Sequence, residues 1–173
     1  MIRKAKIEEV NEINSIINDA KLLFKMAGST QWQDLDGYPN TITLINDINK
    51  EQLYVKVVDN ILVAVVVVSK ETEEAYNKIY EGAWLNDKKY YVVHRLAVRK
   101  EYYGKGLAKE LLQYAEKVAL ADGVKNIRVD TMLNNIKMIN LLKSFGYINC
   151  GVIHLLRKDV LENERLAFHK ILN

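Results

Sequence analysis

The 173-residue sequence predicts a mixed α/β fold in which helices flank a central sheet. Two β-branched segments, Leu53–Val58 and 61–68, are separated by Asp59-Asn60 and indicate an early β-hairpin. Residues 90–131 then read as a strand, a periodic helix and a second strand. No repeat or linker interrupts the chain, so we expect a single domain over residues 1–173.

Four segments precede the hairpin. Residues 2–5 can form a short first strand. Over residues 8–26 the apolar positions recur at spacings of three and four, which predicts an amphipathic helix. A polar and aromatic connection over residues 31–38 follows, and Pro39 suits the first turn of an isoleucine-rich second helix.

The later elements follow from hydrophobic periodicity and from glycine positions. Segment 61–68 is apolar throughout, as expected of a strand buried on both faces. Residues 70–89 predict only a partly helical connection. The remaining predicted elements are strand 90–98, helix 105–121, strand 126–131, helix 136–145, strand 147–155 and strand 165–172.

The composition limits the classes of partner. With 25 basic and 22 acidic residues the formal charge is only +3, which does not indicate a nucleic-acid partner. The single Cys150 excludes an internal disulfide and fits a reducing compartment. The first residues lack the apolar core of a signal peptide, and the longest apolar run is too short to cross a bilayer. We therefore expect a cytoplasmic protein without a membrane partner.

A glycine-rich turn, Gly104-Lys105-Gly106, lies between an apolar strand and a helix. This order directs unsatisfied backbone N–H groups at a helix N-terminus into the turn, which favours phosphate oxygens. No Ser or Thr follows Lys105, as a nucleoside-triphosphate loop would require, and the third glycine of a dinucleotide motif is missing. The turn predicts a phosphate-bearing ligand, although a purely structural turn is an open alternative.

Two blocks of sequence, 96–108 and 135–147, resemble motifs of the Gcn5-related N-acetyltransferase (GNAT) superfamily in their order and spacing. The first block, from Leu96-Ala97-Val98-Arg99 to Gly104-Lys105-Gly106-Leu107-Ala108, resembles the family's acetyl-coenzyme A motif. The other block resembles the family's later helix and the Gly-Phe pair that ends it. The resemblance extends over nearly the whole chain. It implies a GNAT-like fold with a mixed, mostly antiparallel sheet flanked by helices.

The same resemblance implies acetyl-CoA as the acyl donor. The cofactor strand would offer backbone groups to the pantetheine arm, and the turn would hold the pyrophosphate. Lys105 and Lys109 would add positive charge, or they are simply solvated on the helix face. The residues expected to bind acetyl-CoA are Leu96, Ala97, Val98, Tyr103, Gly104, Lys105, Gly106, Leu107, Ala108, Lys109 and Asn135.

The sequence departs from the family pattern at two positions. Glu101 stands where the family usually has Gln or Arg, and an acid near a pyrophosphate is unfavourable unless it turns away. Leu142 stands where many members carry a Tyr that is thought to protonate the departing thiolate. The acid of the mechanism is therefore unassigned.

Acetyl transfer to an amine requires a base, because an alkylamine of pKa about 10 is charged at neutral pH. His94 would share a face with Leu96 and Val98 if the strand alternates regularly, and it titrates near neutrality. Glu81 is another candidate for the base, and Tyr147 is a candidate for the missing acid. Each also has a structural interpretation, as a sheet histidine, a surface carboxylate and a packing aromatic.

The connection between the first two helices is the best candidate for acceptor recognition. Trp32 and Tyr38 could enclose a substrate, and Asp34 or Asp36 could pair with its ammonium group. Trp84 could likewise enclose a substrate. Alternatively these side chains only pack onto the core.

The leading functional hypothesis is an acetyl-CoA-dependent N-acetyltransferase acting on a small-molecule or peptide amine. A coenzyme-A-binding module with little catalysis is the alternative, since Leu142 and Glu101 depart from the family pattern. The three histidines show no metal-ligand spacing, so we predict no metal. The apolar last strand could pair across a homodimer.

Overall fold

The computed structural model covers residues 1–173 and contains one seven-stranded sheet in the order β1-β2-β3-β4-β5-β7-β6. The strands are β1 (Ile2–Lys4), β2 (Leu53–Val58), β3 (Ile61–Ser69), β4 (Tyr91–Val98), β5 (Asn126–Thr131), β6 (Ile148–His154) and β7 (Glu164–Ile171). Every neighbouring pair is antiparallel except β4 and β5, which run parallel. The prediction of a mostly antiparallel sheet is confirmed.

Four helices flank the sheet, namely α1 (Val10–Met26), α2 (Thr41–Asn49), α3 (Leu107–Ala121) and α4 (Ile136–Ser144). Asn40 caps α2, because its Oδ1 accepts a hydrogen bond from the N–H of Thr43 at 3.0 Å. Pro39 therefore precedes the cap, and its predicted place in the first turn is wrong. None of the helices combines the length and the apolar character needed to span a bilayer.

The helices divide between the two faces of the sheet. Helices α3 and α4 cover one face, where they form the larger hydrophobic cluster. Helices α1 and α2 cover the other face with a smaller cluster. Strand β3 contributes to both clusters and is buried from Leu62 to Ser69, so its prediction as a strand buried on both faces is confirmed.

Strand β4 contains a bulge that reverses its side-chain alternation. Arg95 has a left-handed φ of 51°, and the pairing with β3 shifts register at this point. Leu96 and Val98 pack on the α3 side, whereas His94 pairs with Val67, which packs on the α1 side. The expectation that His94 shares a face with Leu96 and Val98 is wrong, because the bulge adds one residue between them.

Strands β4 and β5 separate beyond their first residues. Their parallel pairing covers only residues 91–93 and 127–129. From there β4 continues along β3, and β5 continues along β7. The sheet therefore opens at its centre, between the carboxyl ends of its two parallel strands.

Candidate active site

The N-terminus of α3 offers a row of free backbone donors. The N–H groups of residues 104–109 donate to no acceptor within the chain. Gly104 and Gly106 have φ of 76° and 77°, and a Cβ atom at either position would meet nothing within 4 Å. Glycine makes this left-handed backbone accessible, and the missing side chains leave the N–H groups open to an approaching anion.

Two lysines lie on aromatic rings beside this row of donors. The Nζ of Lys105 lies 4.6 Å from the centre of the Tyr102 ring, and that of Lys109 lies 5.4 Å from the centre of the Phe145 ring. These cation–π contacts place positive charge beside the free N–H groups. The turn therefore combines the features that a diphosphate site requires, and its role in binding stays a prediction.

A cavity of about 620 Å³ opens where β4 and β5 separate. Val93, Leu96 and Val129 reach it from the α3 side of the sheet. His94 and Asp130 reach it from the α1 side, because each alternates with a neighbour that faces α3. The cavity thus has lining residues from both faces of the sheet.

Asn135 joins three elements at the edge of this cavity. Its Oδ1 accepts a hydrogen bond from the N–H of Met138 and caps α4. Its Nδ2 donates to Gln31 Oε1 at 3.2 Å and to Thr131 Oγ1 at 3.1 Å. The connection after α1, the end of β5 and the start of α4 are therefore held together at one residue.

His94 faces a carboxylate that the sequence did not single out. The Glu73 Oε2 lies 3.6 Å from the His94 Nε2. Burial and the nearby positive charge of Arg95 lower the pKa of His94 to about 3, so the imidazole is neutral at pH 7. Burial and the negative charge of Asp130 raise the pKa of Glu73. No sequence signal distinguishes Glu73 from its neighbours Glu71 and Glu74.

Arg95, at the bulge, organises the cavity wall. Its guanidinium donates to both oxygens of Asp47, at 2.7 and 2.8 Å, and Nη1 donates to the Tyr38 hydroxyl at 2.6 Å. Tyr38 lines the cavity as part of this charged network, and its role in enclosing a substrate stays a prediction. The sequence did not reveal this network, because its members come from α2, the connection before it and β4.

Asp34 is engaged within the chain. Its Oδ2 accepts from Arg157 Nη1 at 3.0 Å, and its Oδ1 accepts from the N–H of Leu161 at 3.1 Å. The side chain is only 2% exposed. Asp34 thus anchors the loop between β6 and β7, and the expectation that it offers a carboxylate to an amine is wrong.

The two predicted tryptophans have different surroundings. Trp32 lines the cavity and packs edge-on against Phe24. Trp84 does not line it. Its Nε1 donates to the carbonyl of Tyr76, and the Arg128 guanidinium lies 4.2 Å from its ring centre. Trp84 therefore packs within the protein, which was the alternative interpretation of this residue, and it does not take the predicted place in the acceptor site.

Glu81 and Tyr147 lie outside the cavity. Tyr80 pairs with Val152 on the outer edge of β6, so β5, β7 and β6 separate the exposed Glu81 from β4. Tyr147 is buried in the α3-side core, and burial raises the pKa of its phenol. Leu142 lies in the same core. The structure does not bring Glu81 and Tyr147 together with His94, so their predicted catalytic roles are wrong.

Two further charged residues line the cavity, Asp130 on β5 and Arg165 at the start of β7. The Tyr76 hydroxyl donates to Asp130 Oδ2 at 2.6 Å, and burial raises the pKa of this carboxyl. Arg165 Nη1 donates to the carbonyls of Glu162 and Glu164. No group of three or more His, Cys, Asp or Glu side chains is arranged to hold a metal ion.

Comparison with known proteins agrees with this architecture. The Acetyltransferase (GNAT) family matches residues 14–147. The uncharacterized N-acetyltransferase YesJ of Bacillus subtilis (strain 168) is 25% identical over 160 residues, which cover 90% of this chain and 88% of that protein.

Solved structures show the same fold over nearly the full length of the chain. The crystal structure of a GNAT family acetyltransferase from Streptococcus agalactiae 2603 has a TM-score of 0.89 and 34% identity, covering 100% of this chain and 95% of that one. A GNAT family acetyltransferase from Listeria monocytogenes 4b F2365 has a TM-score of 0.75 and 23% identity, covering 99% and 94%.

Proposed function

Because the chain belongs to the GNAT family of acetyltransferases, we propose that it moves the acetyl group of acetyl-CoA to an amine of a small molecule or peptide. One observation carries the proposal. The free N–H groups at the start of α3 lie at the end of the connection from β4, the strand that borders the central gap in the sheet. That gap leads to a cavity with titratable side chains on its α1 side.

The donor would lie along β4 and the start of α3. We expect the N–H groups of residues 104–109 to hold the diphosphate, aided by Lys105 and Lys109. Leu96, Ala97 and Val98 belong to the part of β4 that no longer pairs with β5, so their backbone can bind the pantetheine arm. When bound, acetyl-CoA supplies an acyl thioester at the gap.

The acceptor would approach from the α1 side. Trp32 and Tyr38 border the cavity there, and they would enclose the amine-bearing molecule, whereas Asn135, at the start of α4, would bind acetyl-CoA. Holding both reactants in one cavity supplies part of the rate acceleration by removing the entropy cost of their encounter.

Glu73 and His94 are the groups that we expect to manage the proton of the amine. Glu73 is a carboxylate of raised pKa on the cavity wall, and it can accept a proton directly or through a water molecule. Neutral His94 lies beside it and can accept a hydrogen bond from the amine or the water. No side-chain acid is assigned to the leaving group, because a thiol of pKa about 8.5 can depart as the thiolate.

Release of coenzyme A thiol over a panel of primary amines tests the proposal, with acetyl-CoA affinity measured by calorimetry. Turnover that depends on both substrates is the expected result. Tight binding of acetyl-CoA without turnover of any amine would instead favour a coenzyme-A-binding module. Failure to bind acetyl-CoA would overturn the assignment of the α3 N-terminus.

A further inference from the structure

We propose that the acceptor is a small amino acid, an amine that also carries a carboxylate, and that Arg165 binds this carboxylate. The inference rests on the proposed acetyltransferase function, because it names the substrate class of the same cavity. It stands on three properties of the cavity wall: an incompletely partnered buried guanidinium, the balance of charge, and the register of β5 and β7.

Arg165 is a buried cation without a carboxylate partner. It is 4% exposed and lines the cavity; no carboxylate lies within 4 Å of its guanidinium, although the negative charges of Asp130 and Asp34 act on it from further away. Its Nη1 donates to the carbonyls of Glu162 and Glu164, at 2.6 and 2.8 Å, while Nε and Nη2 donate to no group of the protein. A buried charge is costly without a counter-ion, and a guanidinium edge matches the two oxygens of a carboxylate. The wall therefore offers a donor set suited to a carboxylate.

The charges around the cavity select the charge of the ligand. Three basic side chains of the wall are already paired: Arg95 with Asp47, Arg157 with Asp34 and Lys50 with Glu71. Arg165 then remains as the cation without an ion-pair contact, and the wall also carries the carboxylates of Glu73 and Asp130, while His94 is neutral. A ligand whose ammonium group faces the two carboxylates and whose single carboxylate faces Arg165 would match these charges. A phosphate dianion would be repelled by the two carboxylates and attracted by only one cation.

The register of the sheet places the two kinds of charge within reach of one small molecule. Asp130 of β5 pairs with Ala167 of β7, and Arg165 lies two residues before Ala167 on the same face. Diagonal neighbours of this kind are about 7–8 Å apart, so a ligand a few bonds long can span the interval between their side chains. Asp130 directly follows Val129, the last β5 residue paired with β4, so the ammonium end would lie beside the gap.

Matched acceptors test the inference on the unmodified protein. Each member of a set of α-, β- and γ-amino acids is compared with its own primary amide, which keeps size and amine but lacks the negative charge. For the best acid we expect kcat/KM to exceed that of its amide by about 10- to 100-fold, the effect of losing one charge-assisted hydrogen-bond pair. Thermal stabilisation of the coenzyme A complex by each compound is measured in parallel.

The outcomes separate this inference from the proposed function. Equal turnover of acids and amides would overturn the carboxylate site while leaving the acetyltransferase intact. Selective stabilisation by acids without turnover of any amine would support the carboxylate site and contradict the acetyltransferase. Equal or absent stabilisation together with no turnover would overturn both.

Variants of Arg165 locate the site. In Arg165→Gln the preference for acid over amide should fall to about threefold or less, mainly through KM, because the charge-assisted hydrogen bonds are lost. Arg165→Lys should restore part of the preference, since it keeps the charge but not the planar edge. Lys158→Gln, an exposed change in the loop that precedes β7, is the matched control and should keep the full preference. Acetyl-CoA affinity reports whether each variant is folded, and an unchanged preference in folded Arg165→Gln would overturn the assignment.

Discussion

Arg95 donates two hydrogen bonds to the carboxylate of Asp47, from Nε at 2.7 Å and from Nη2 at 2.8 Å. The two side chains are 12% and 5% exposed, so the ion pair is largely removed from water. It ties α2 to the bulge of β4, where Arg95 adopts a left-handed conformation. Because the bulge directs His94 to one face and Leu96 to the other, this pair positions both the acceptor side and the donor side of the cavity.

Removal of Asp47 should therefore be strongly destabilising. In Asp47→Ala the buried guanidinium loses its counter-ion, and we expect the free energy of unfolding to fall by about 3–5 kcal/mol. Urea denaturation measures the change. The exposed pair Lys50–Glu71 supplies the control, since Glu71→Gln should cost no more than about 1 kcal/mol. A loss in Asp47→Ala no larger than that of the control would show that the pair does not hold the bulge.

A branched side chain at Gly106 should block the diphosphate without unfolding the protein. Gly106 and Gly123 mark the two ends of α3, have φ of 77° and 72°, and have no neighbouring atom within 4 Å of a Cβ. A valine strains the backbone equally at both positions, so thermal denaturation should show similar losses of stability. Only Gly106→Val covers the free N–H groups, and calorimetry should show at least about a tenfold weaker affinity for coenzyme A.

Equal coenzyme A affinities of Gly106→Val and Gly123→Val would contradict this location of the diphosphate. The comparison does not depend on the acceptor, because it measures binding of the donor alone.

Most of the fold could be predicted from the sequence because the periodic segments are long and consistent. Strand 126–131 was predicted with its observed ends, and the helices differ by at most two residues at either end. The errors have local physical causes. The side chain of Asn40 caps α2 with a hydrogen bond, so the helix begins after Asn40 and Pro39 lies before it. A short 3₁₀ turn precedes α1, so that helix begins later than predicted.

The acceptor side of the site could not be predicted in the same way. A regular strand implies that residues 94, 96 and 98 share a face, and only the left-handed Arg95 reverses this. Asp34 binds Arg157, which lies 123 residues away in sequence, so no local pattern indicates that this carboxylate is engaged. Glu73 lies in a connection without periodicity. Long-range pairs of this kind leave no local pattern, whereas the glycine turn before α3 does.

The stability of the protein should depend on His169 below neutral pH. Its Nδ1 accepts a hydrogen bond from the N–H of Leu85 at 3.1 Å, so a proton on Nδ1 would break this bond. Burial and the positive charge of Arg128 lower the pKa of His169 to about 4. Since the unfolded state takes up a proton below pH about 6.5 and the folded state does not, stability is lost as the pH falls from about 6.5 to 4.

The contribution of His169 can be isolated by substitution. Over this pH interval the loss amounts to at most about 3 kcal/mol, and it should be absent from the profile of His169→Asn. Urea denaturation at a series of pH values measures it. His154→Asn, in which the replaced side chain is 35% exposed, is the control and should retain the loss of stability assigned to His169. Parallel profiles of wild type and His169→Asn would contradict a neutral His169 in the folded protein.

The pH dependence of turnover should reveal the role of Glu73. Its pKa is raised by burial and by Asp130, so the carboxyl loses its proton at a higher pH than an ordinary glutamate. If Glu73 accepts the proton of the amine, turnover rises with pH through this raised pKa. Glu73→Gln should remove that rise and lower kcat by about 100-fold or more. The affinity for acetyl-CoA should be unchanged, because the residue lies on the acceptor side of the gap.

The exposed neighbour Glu74 provides the control for Glu73, since Glu74→Gln should keep both the rate and the pH profile. If Glu73→Gln retained the wild-type pH profile, a group other than Glu73 would be the base. The pH profile of His94→Asn would then decide whether the imidazole is that group.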